Sequence, residues 1–263
     1  MKTRQIPTYL KYECLPKQHD YCAVVFVINE GERLHNQLRR MKYLASNVDL
    51  VIADGGSDDG STDLDILKEF DINTLLIKTG AGKLGSQMRM AFAWALDRNY
   101  KGVVVVDGNN KDSVEDVPRF ISKLEEGFDH IQGSRFIPGG HHENTPLSRL
   151  IGLKILHAPL ISQASGFRYS DTTNGFRAYS SNLLQDNRLD VFRDVFEGYE
   201  LHYYIAIRAP KLGFKCIEVP VSRIYPAKGA IPTKISPIRG SIDVLYKLFF
   251  ACFGGYNPRK CNE

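Results

Sequence analysis

Four short stretches hold most of the residues in this chain that could do chemistry. They are Asn29-Glu30, the run Asp54-Gly55-Gly56-Ser57-Asp58-Asp59-Gly60-Ser61, Thr79-Gly80-Ala81-Gly82-Lys83, and Asp107-Gly108-Asn109-Asn110 with Lys111. Acid and amide oxygens suit hard cations, glycines let backbone N–H groups approach a phosphate, and a lysine neutralises one. Gathered on one edge, these residues make a site for a nucleotide with a charged tail. Singly, each has a plainer reading. Asp54–Ser61 is also a helix-capping turn, Asp107 a simple cap, and Gly80–Lys83 a loop without P-loop spacing.

Each stretch directly follows an apolar, β-rich run: Cys22–Ile28, Leu50–Ala53, Thr74–Ile77 and Val103–Val106. Helical spacing over Glu32–Leu44, Leu84–Leu96 and Val114–Leu124 separates them, the pattern of a mainly parallel sheet buried on both faces. Ligands of such sheets collect beyond the carboxyl ends of the strands. Ser113, ahead of Glu115 and Asp116, reads as an N-cap. Past Ser134 a loop containing Gly139, Gly140, His141, His142, Asn144 and Pro146 leads to an amphipathic segment from Ser148 to about Ser165. A helix near Tyr199–Ala209, a strand over Lys215–Val221, a loop from Tyr225 to Ser236 and an apolar helix from about Ile238 complete the pattern.

The 263 residues, 43% of them hydrophobic, supply a core for one α/β domain, and a net charge of +4 favours phosphate-bearing partners over duplex nucleic acid. Five cysteines, Cys14, Cys22, Cys216, Cys252 and Cys261, have neither pairing nor metal spacing, so a reducing, cytoplasmic setting is expected. The first residues lack the apolar region of a signal peptide, and the stretch Ile242–Phe253 is too short to span a bilayer.

In combination the motifs resemble the family 2 glycosyltransferases of GT-A fold, and within them the dolichol- or polyprenyl-phosphate mannose synthase branch, over about Cys22 to Tyr225. Phe26-Val27-Ile28-Asn29-Glu30, Asp54–Ser61, Gly82-Lys83-Leu84-Gly85 with Arg89, Asp107-Gly108-Asn109, Val114-Glu115-Asp116-Val117-Pro118, Gly133-Ser134-Arg135 and Asp171-Thr172-Thr173-Asn174-Gly175-Phe176-Arg177 carry the likeness. The resemblance implies a single GT-A domain over 1–263, Rossmann-like, with a mainly parallel central sheet flanked by helices and a C-terminal acceptor-side extension. Residues 22–135 form its nucleotide-sugar half, 136–236 its acceptor-side half, and 237–263 a C-terminal helix and tail.

It further implies inverting transfer of a sugar from a nucleoside-diphosphate sugar to a polyprenyl phosphate. Asn29, Glu30, Asp54, Gly56, Ser57, Lys83, Arg89, Asp107, Gly108, Asn109, Lys111 and Arg177 would bind the donor, and Asp107 with Asn109 would hold Mg²⁺ or Mn²⁺. Asn109 stands where the family has a second acid. Lys111 stands where relatives place a glutamine, so Lys111 pairing with the diphosphate is the alternative to the metal. Arg135 and Arg149 match the arginines that grip the acceptor phosphate. Glu200 is the base if the acceptor is instead a saccharide hydroxyl, and a non-catalytic nucleotide-sugar binder is the remaining alternative. Arg177, Arg223, Lys228 and Lys234 would form a lid over the diphosphate. The apolar residues of Ser148–Ser165 and the C-terminal helix pack on the sheet or make reversible contact at the cytoplasmic face of a membrane.

Overall fold

The computed structural model describes residues 3–227 and 239–258. One eight-stranded sheet organises the chain. Its strands are β1 (Tyr9–Glu13), β2 (Tyr21–Val27), β3 (Asp49–Asp54), β4 (Thr74–Lys78), β5 (Gly102–Asp107), β6 (His130–Ser134), β8 (Arg177–Ser180) and β9 (Cys216–Pro220), in the order β1-β4-β3-β2-β5-β8-β6-β9. The central strands β4, β3, β2 and β5 are mutually parallel, as are β6 and β9, whereas β1 and β8 run against their neighbours. A short parallel pair, β7 (His141–Glu143) and β10 (Ser222–Ile224), stands apart from it.

The apolar runs of β2, β3 and β5 are buried on both faces because helices cover both. Successive side chains of β2 divide between two cores. Cys22, Val24 and Phe26 face α3 (Leu84–Asp97) and α8 (Glu200–Lys211), while Ala23, Val25 and Val27 face α1 (Glu32–Met41) and α4 (Val117–Glu125). Every residue of α3 from Gly85 to Leu96 is buried, consistent with its apolar circumference. A third cluster joins α8 to α6 (Ala158–Ser165) and to α9 (Arg239–Cys252) through Ile161, Tyr203, Ile207 and Leu248.

The expected strands and helices on the donor side are present with small boundary changes. The helix expected over Glu32–Leu44 ends at Met41 and tightens into a 3₁₀ turn. Ser113 makes no N-cap bond: its hydroxyl donates to Asp116 Oδ2 (2.5 Å) and accepts from the Ser222 N–H (2.8 Å), which ties this loop to β10. The segment expected over Ser148–Ser165 is continuously helical, with α5 (Leu147–Ile151) passing through a π-helical turn over Gly152–His157 into α6. Its Leu153 and Ile161 are buried, while Leu147, Ile151 and Ile155 are exposed. The boundary expected at residue 135 falls inside one continuous sheet, because β8 and β9 return to it after β6. Lys228, Lys234 and Cys261 lie outside the described residues.

Three histidines lie buried around the buried guanidinium of Arg177. His130 Nδ1 is 3.2 Å from Tyr169 Oη, His202 Nδ1 is 2.9 Å from Tyr179 Oη, and His157 Nδ1 is 2.7 Å from Thr172 Oγ1. Burial, reinforced by the Arg177 charge, lowers His130 to about 3, His157 to about 4, and His202 well below its ordinary value. In the unfolded chain the same groups take up protons near 6.5, so acidification favours unfolding. Between pH 7 and pH 5 each histidine should cost about 1–2 kcal/mol of stability. A urea unfolding midpoint that falls over this range is expected; a constant midpoint would contradict the burial argument.

Candidate functional site

The sheet register places the acids. Val27 of β2 lies opposite Asp54 of β3, and Phe26 opposite Asp107 of β5, so both carboxylates emerge at the same edge on either side of Asn29-Glu30. Gly55 and Gly108 continue the ladders by donating to Val27 O (2.8 Å) and Phe26 O (2.9 Å). Gln87 of α3 reaches under this edge and donates to Val27 O (2.9 Å) and Ala53 O (3.1 Å), satisfying carbonyls where the strands part. Its sequence context carried no sign of that role.

Asp54 is buried and shapes its own loop. Oδ1 accepts from the N–H groups of Gly56 (3.1 Å) and Ser57 (2.9 Å) and from Ser57 Oγ (2.7 Å), while Oδ2 accepts from Thr62 Oγ1 (2.9 Å). Gly56, at φ 97°, takes the left-handed turn these bonds require. Asn29 locks the neighbouring loop to this one: its N–H donates to Ser57 Oγ (3.0 Å) and its Oδ1 accepts from the Asp58 N–H (2.9 Å). Glu30 pairs with Arg33 at 3.0 Å. Lys83 is exposed at the start of α3, where its N–H and that of Gly85 donate to Glu197 O. A Cβ on Gly85 would lie 2.7 Å from the carbonyl oxygens of Phe196 and Gly198, so the glycine permits this close approach.

The second half of the site is built around Arg223. Segment 111–113 pairs with β10: Ile224 N–H donates to Lys111 O (2.9 Å), Ser113 N–H to Ser222 O (2.9 Å), and Asp112 is bridged to Arg223. The buried Arg223 guanidinium lies 2.5 Å from Asp112 Oδ2 through Nη1 and 3.3 Å from Asp107 Oδ2 through Nη2. Asn109 Nδ2 is 3.4 Å from the same Asp107 oxygen. Lys111 is buried with its ammonium 5.3 Å from the Tyr225 ring centroid, and Arg223 (5.6 Å) and Arg149 (5.8 Å) stand over the same ring. Arg149 also donates to Tyr225 Oη (3.4 Å). Burial raises the Tyr225 phenol, but Arg223, Arg135 and the Arg149 bond outweigh it, leaving the phenol below its ordinary value. Burial, reinforced by Arg223, lowers Lys111.

The family's divalent ion can be tested against these residues. Asn109 Oδ1 is buried without a partner, an oxygen of the type a hard cation takes. The remaining observations oppose a dedicated metal site. Asp107 is the single carboxylate of its motif, its Oδ2 faces a guanidinium, and the ammonium of Lys111 stands four residues on. Among the described residues no group of three or more His, Cys, Asp or Glu side chains assembles for a cation. The set does not fit an ion held by protein ligands alone.

Several expected site residues are engaged elsewhere. Arg89 donates through Nε to Phe196 O (3.1 Å), through Nη1 to Gln5 O and through Nη2 to Ser86 Oγ (3.1 Å). It therefore anchors the 196–198 loop and the N-terminal segment rather than a donor. Arg177 is likewise no lid, because its guanidinium is buried and bonds Asn174 O (3.0 Å), His202 O (3.1 Å) and Thr172 O (2.8 Å). Glu200 is 1% exposed, with Oε1 accepting from the Gly198 N–H (2.5 Å) and Oε2 3.2 Å from Lys247 Nζ on α9. Neither contact belongs to the Asp107 group, so the base reading of Glu200 loses its support. Arg135 is clamped by Asp171 at 2.6 and 3.0 Å and by Thr173 Oγ1 at 3.0 Å, whereas Arg149 is exposed.

A Rossmann-like sheet with polar loops at its carboxyl edge and a cationic annex beside Asp107 defines a GT-A glycosyltransferase. The family model for glycosyl transferase family 2 matches residues 22–188, and the chain belongs to that family. It is similar to the polyprenol monophosphomannose synthase of Mycolicibacterium smegmatis, 28% identical over 203 residues that cover 76% of each chain. It is also similar to the undecaprenyl-phosphate mannosyltransferase of Micrococcus luteus, 30% identical over 203 residues covering 76% of this chain and 82% of the relative. Among solved structures, glucosyl-3-phosphoglycerate synthase from Mycobacterium tuberculosis, in complex with Mn²⁺, UDP and phosphoglyceric acid, shares the fold. Its TM-score is 0.62 at 17% identity, covering 91% of this chain and 80% of that one.

The Arg135–Asp171 pair sets an expectation for stability. Arg135→Met would leave Asp171 buried and unpaired, at a cost of about 3–5 kcal/mol. Arg135→Met with Asp171→Leu should recover part of that loss in urea unfolding. Equal stability of Arg135→Met and the wild type would show that the pair contributes nothing.

Proposed function

We propose that this glycosyltransferase moves a sugar from a nucleoside-diphosphate sugar onto a polyprenyl phosphate, with inversion at the anomeric carbon. The observation that carries this reading is that the buried and half-buried carboxylates which could serve as a base are engaged by cations. Asp107 and Asp112 face Arg223, Asp171 faces Arg135, and Glu200 faces Lys247. An acceptor hydroxyl would need one of them as a base. A phosphate monoester is already ionised near neutral pH, so it can attack once it is oriented, and cations are what orient it.

The basic annex supplies those cations. Arg149 stands exposed over Tyr225 and Lys154 places its ammonium 3.5 Å from the Phe136 ring centroid, while Arg135, expected to grip the phosphate, is neutralised by Asp171 and holds its loop. In the proposed reaction a phosphate oxygen forms the new bond to the anomeric carbon as the bond to the donor diphosphate breaks. The departing diphosphate keeps the electron pair, no proton transfer is required, and a single in-line displacement inverts the centre. On the donor side, Asn29, Asp54 and Ser57 shape the nucleoside loop. Gly56 takes the positive-φ turn there, Gly108 packs against Val27 and Phe26 where a Cβ would lie 3.0 Å from Val27 Cγ2, and Lys83 is exposed at the rim. Arg149 shares its segment with Leu147, Ile151 and Ile155, which are 69%, 48% and 73% exposed and recur every four residues along one face. No helix among the described residues is long and apolar enough to cross a membrane. This apolar row beside the annex suits reversible contact with the cytoplasmic face of a bilayer that carries the lipid acceptor.

The test is transfer by purified protein to a polyprenyl phosphate in detergent, across a panel of nucleotide sugars. A polyprenyl-phosphate sugar of inverted configuration is expected from one donor. Arg149→Ala should raise the acceptor KM about tenfold or more through loss of a charge-assisted contact, leaving nucleotide binding unchanged. Replacing Leu147, Ile151 and Ile155 together by serine should reduce co-sedimentation with anionic vesicles. Transfer to a soluble glycan, with none to the lipid phosphate, would overturn the acceptor assignment.

A further inference from the structure

The same edge carries an inference about how the diphosphate is held, resting on the nucleoside-diphosphate donor proposed above. The Asp107 motif has lost one acid at Asn109 and gained a cation at Lys111. Tertiary structure adds a second cation from more than a hundred residues away, Arg223. The two are fixed to one another by backbone, since the chain at Lys111 and Asp112 pairs with Ile224 and Arg223 of β10. Both stand against the ring of Tyr225.

Charge bookkeeping decides between a metal and these side chains. Asp107 and Asp112 are matched by Arg223 and Lys111, and the nearby Glu30 by Arg33, so the group is already balanced without an ion. A divalent cation beside Asp107 would sit next to two fixed positive charges in a partly buried place, where screening is weak. A diphosphate brings the opposite charge. The Arg223–Asp107 contact, at 3.3 Å, is the looser of the two that Arg223 makes, while the 2.5 Å contact to Asp112 anchors the guanidinium from behind. Arg223 can therefore turn its outer nitrogen to a ligand without losing its buried partner. Asp107 is one-third exposed and marks where that ligand arrives.

We propose that Lys111 and Arg223 together replace the divalent ion as the clamp on the donor diphosphate, so that nucleotide binding by this chain is metal-independent. When the bond from the anomeric carbon to the diphosphate oxygen breaks, the electron pair stays on that oxygen. The ammonium and guanidinium stabilise the added charge there with no change in protonation. Asn109 no longer needs to be an acid, because a second carboxylate would compete with the diphosphate for the same cations.

Isothermal titration calorimetry with UDP, GDP, CDP and ADP, in EDTA and in Mg²⁺ or Mn²⁺, tests this on the wild-type chain without reference to turnover. One nucleoside diphosphate should bind in EDTA with a Kd within about threefold of its value with metal, a difference small on the tenfold scale of a charge-assisted contact. Lys111→Met, shown to be folded by its unfolding midpoint, should weaken binding in EDTA by about tenfold or more. Asn109→Asp combined with Lys111→Gln should make binding respond to Mn²⁺. Binding seen only with metal would overturn the inference and leave the donor assignment standing. No binding of any nucleotide under any condition would overturn both. If Lys111→Met does not fold, the wild-type comparison between EDTA and metal decides alone.

Discussion

The contact on which the site depends is the Arg223 guanidinium between Asp107 and Asp112. Asp107 ends a central strand, Asp112 lies on the loop that follows, and Arg223 returns from β10 after the chain has completed its acceptor side. Removing either carboxylate would leave a buried cation with one partner fewer, and removing the arginine would leave Asp112 uncompensated in the interior. This triad, with the short ladder between segment 111–113 and β10, docks the chain around β10 against the sheet edge. Tyr225 follows immediately and becomes the surface on which Lys111, Arg223 and Arg149 converge.

Buried arginines serve as scaffolding throughout this half of the molecule. Arg89 satisfies the carbonyls of Gln5 and Phe196, Arg177 those of Thr172, Asn174 and His202, and Arg135 neutralises Asp171. Arg89 and Arg177 each offer several fixed donors to buried carbonyls, and Arg135 offers its fork to a buried carboxylate. The consequence for function is a division of labour. Arginines that are fully bonded hold the loops, whereas Arg149 and Lys83 are exposed and Arg223 keeps a looser contact to Asp107.

The donor half was legible because its signals are local. A run such as Val103–Val106 can only be a strand buried on both faces, and the polar residues directly after such strands must fall at one edge of a parallel sheet. Asp54, Asp107, Asn29 and Gly56 were therefore found where expected. Strands β1, β6 and β8 were not foreseen. Each is short, and two of them owe their pairing to antiparallel neighbours distant in sequence, so neither alternation nor a nearby turn announces them. The same limit applies to Ser113, whose residue type fits a cap but whose hydroxyl is drawn to β10 by a contact 109 residues away.

Sequence alone determined the order of the central elements, the polar strand ends and the departure at Asn109 and Lys111, since all three follow from residue type and short spacing. Tertiary structure decided which charges are available. Arg89, Arg177 and Glu200 have the residue types of a site but are engaged by carbonyls, an N–H and a lysine within the fold. Arg223, from the opposite end of the domain, was delivered to Asp107. The physical reason is that a charged side chain's role depends on what surrounds it after burial, and burial is set by pairings between distant segments that no local pattern records.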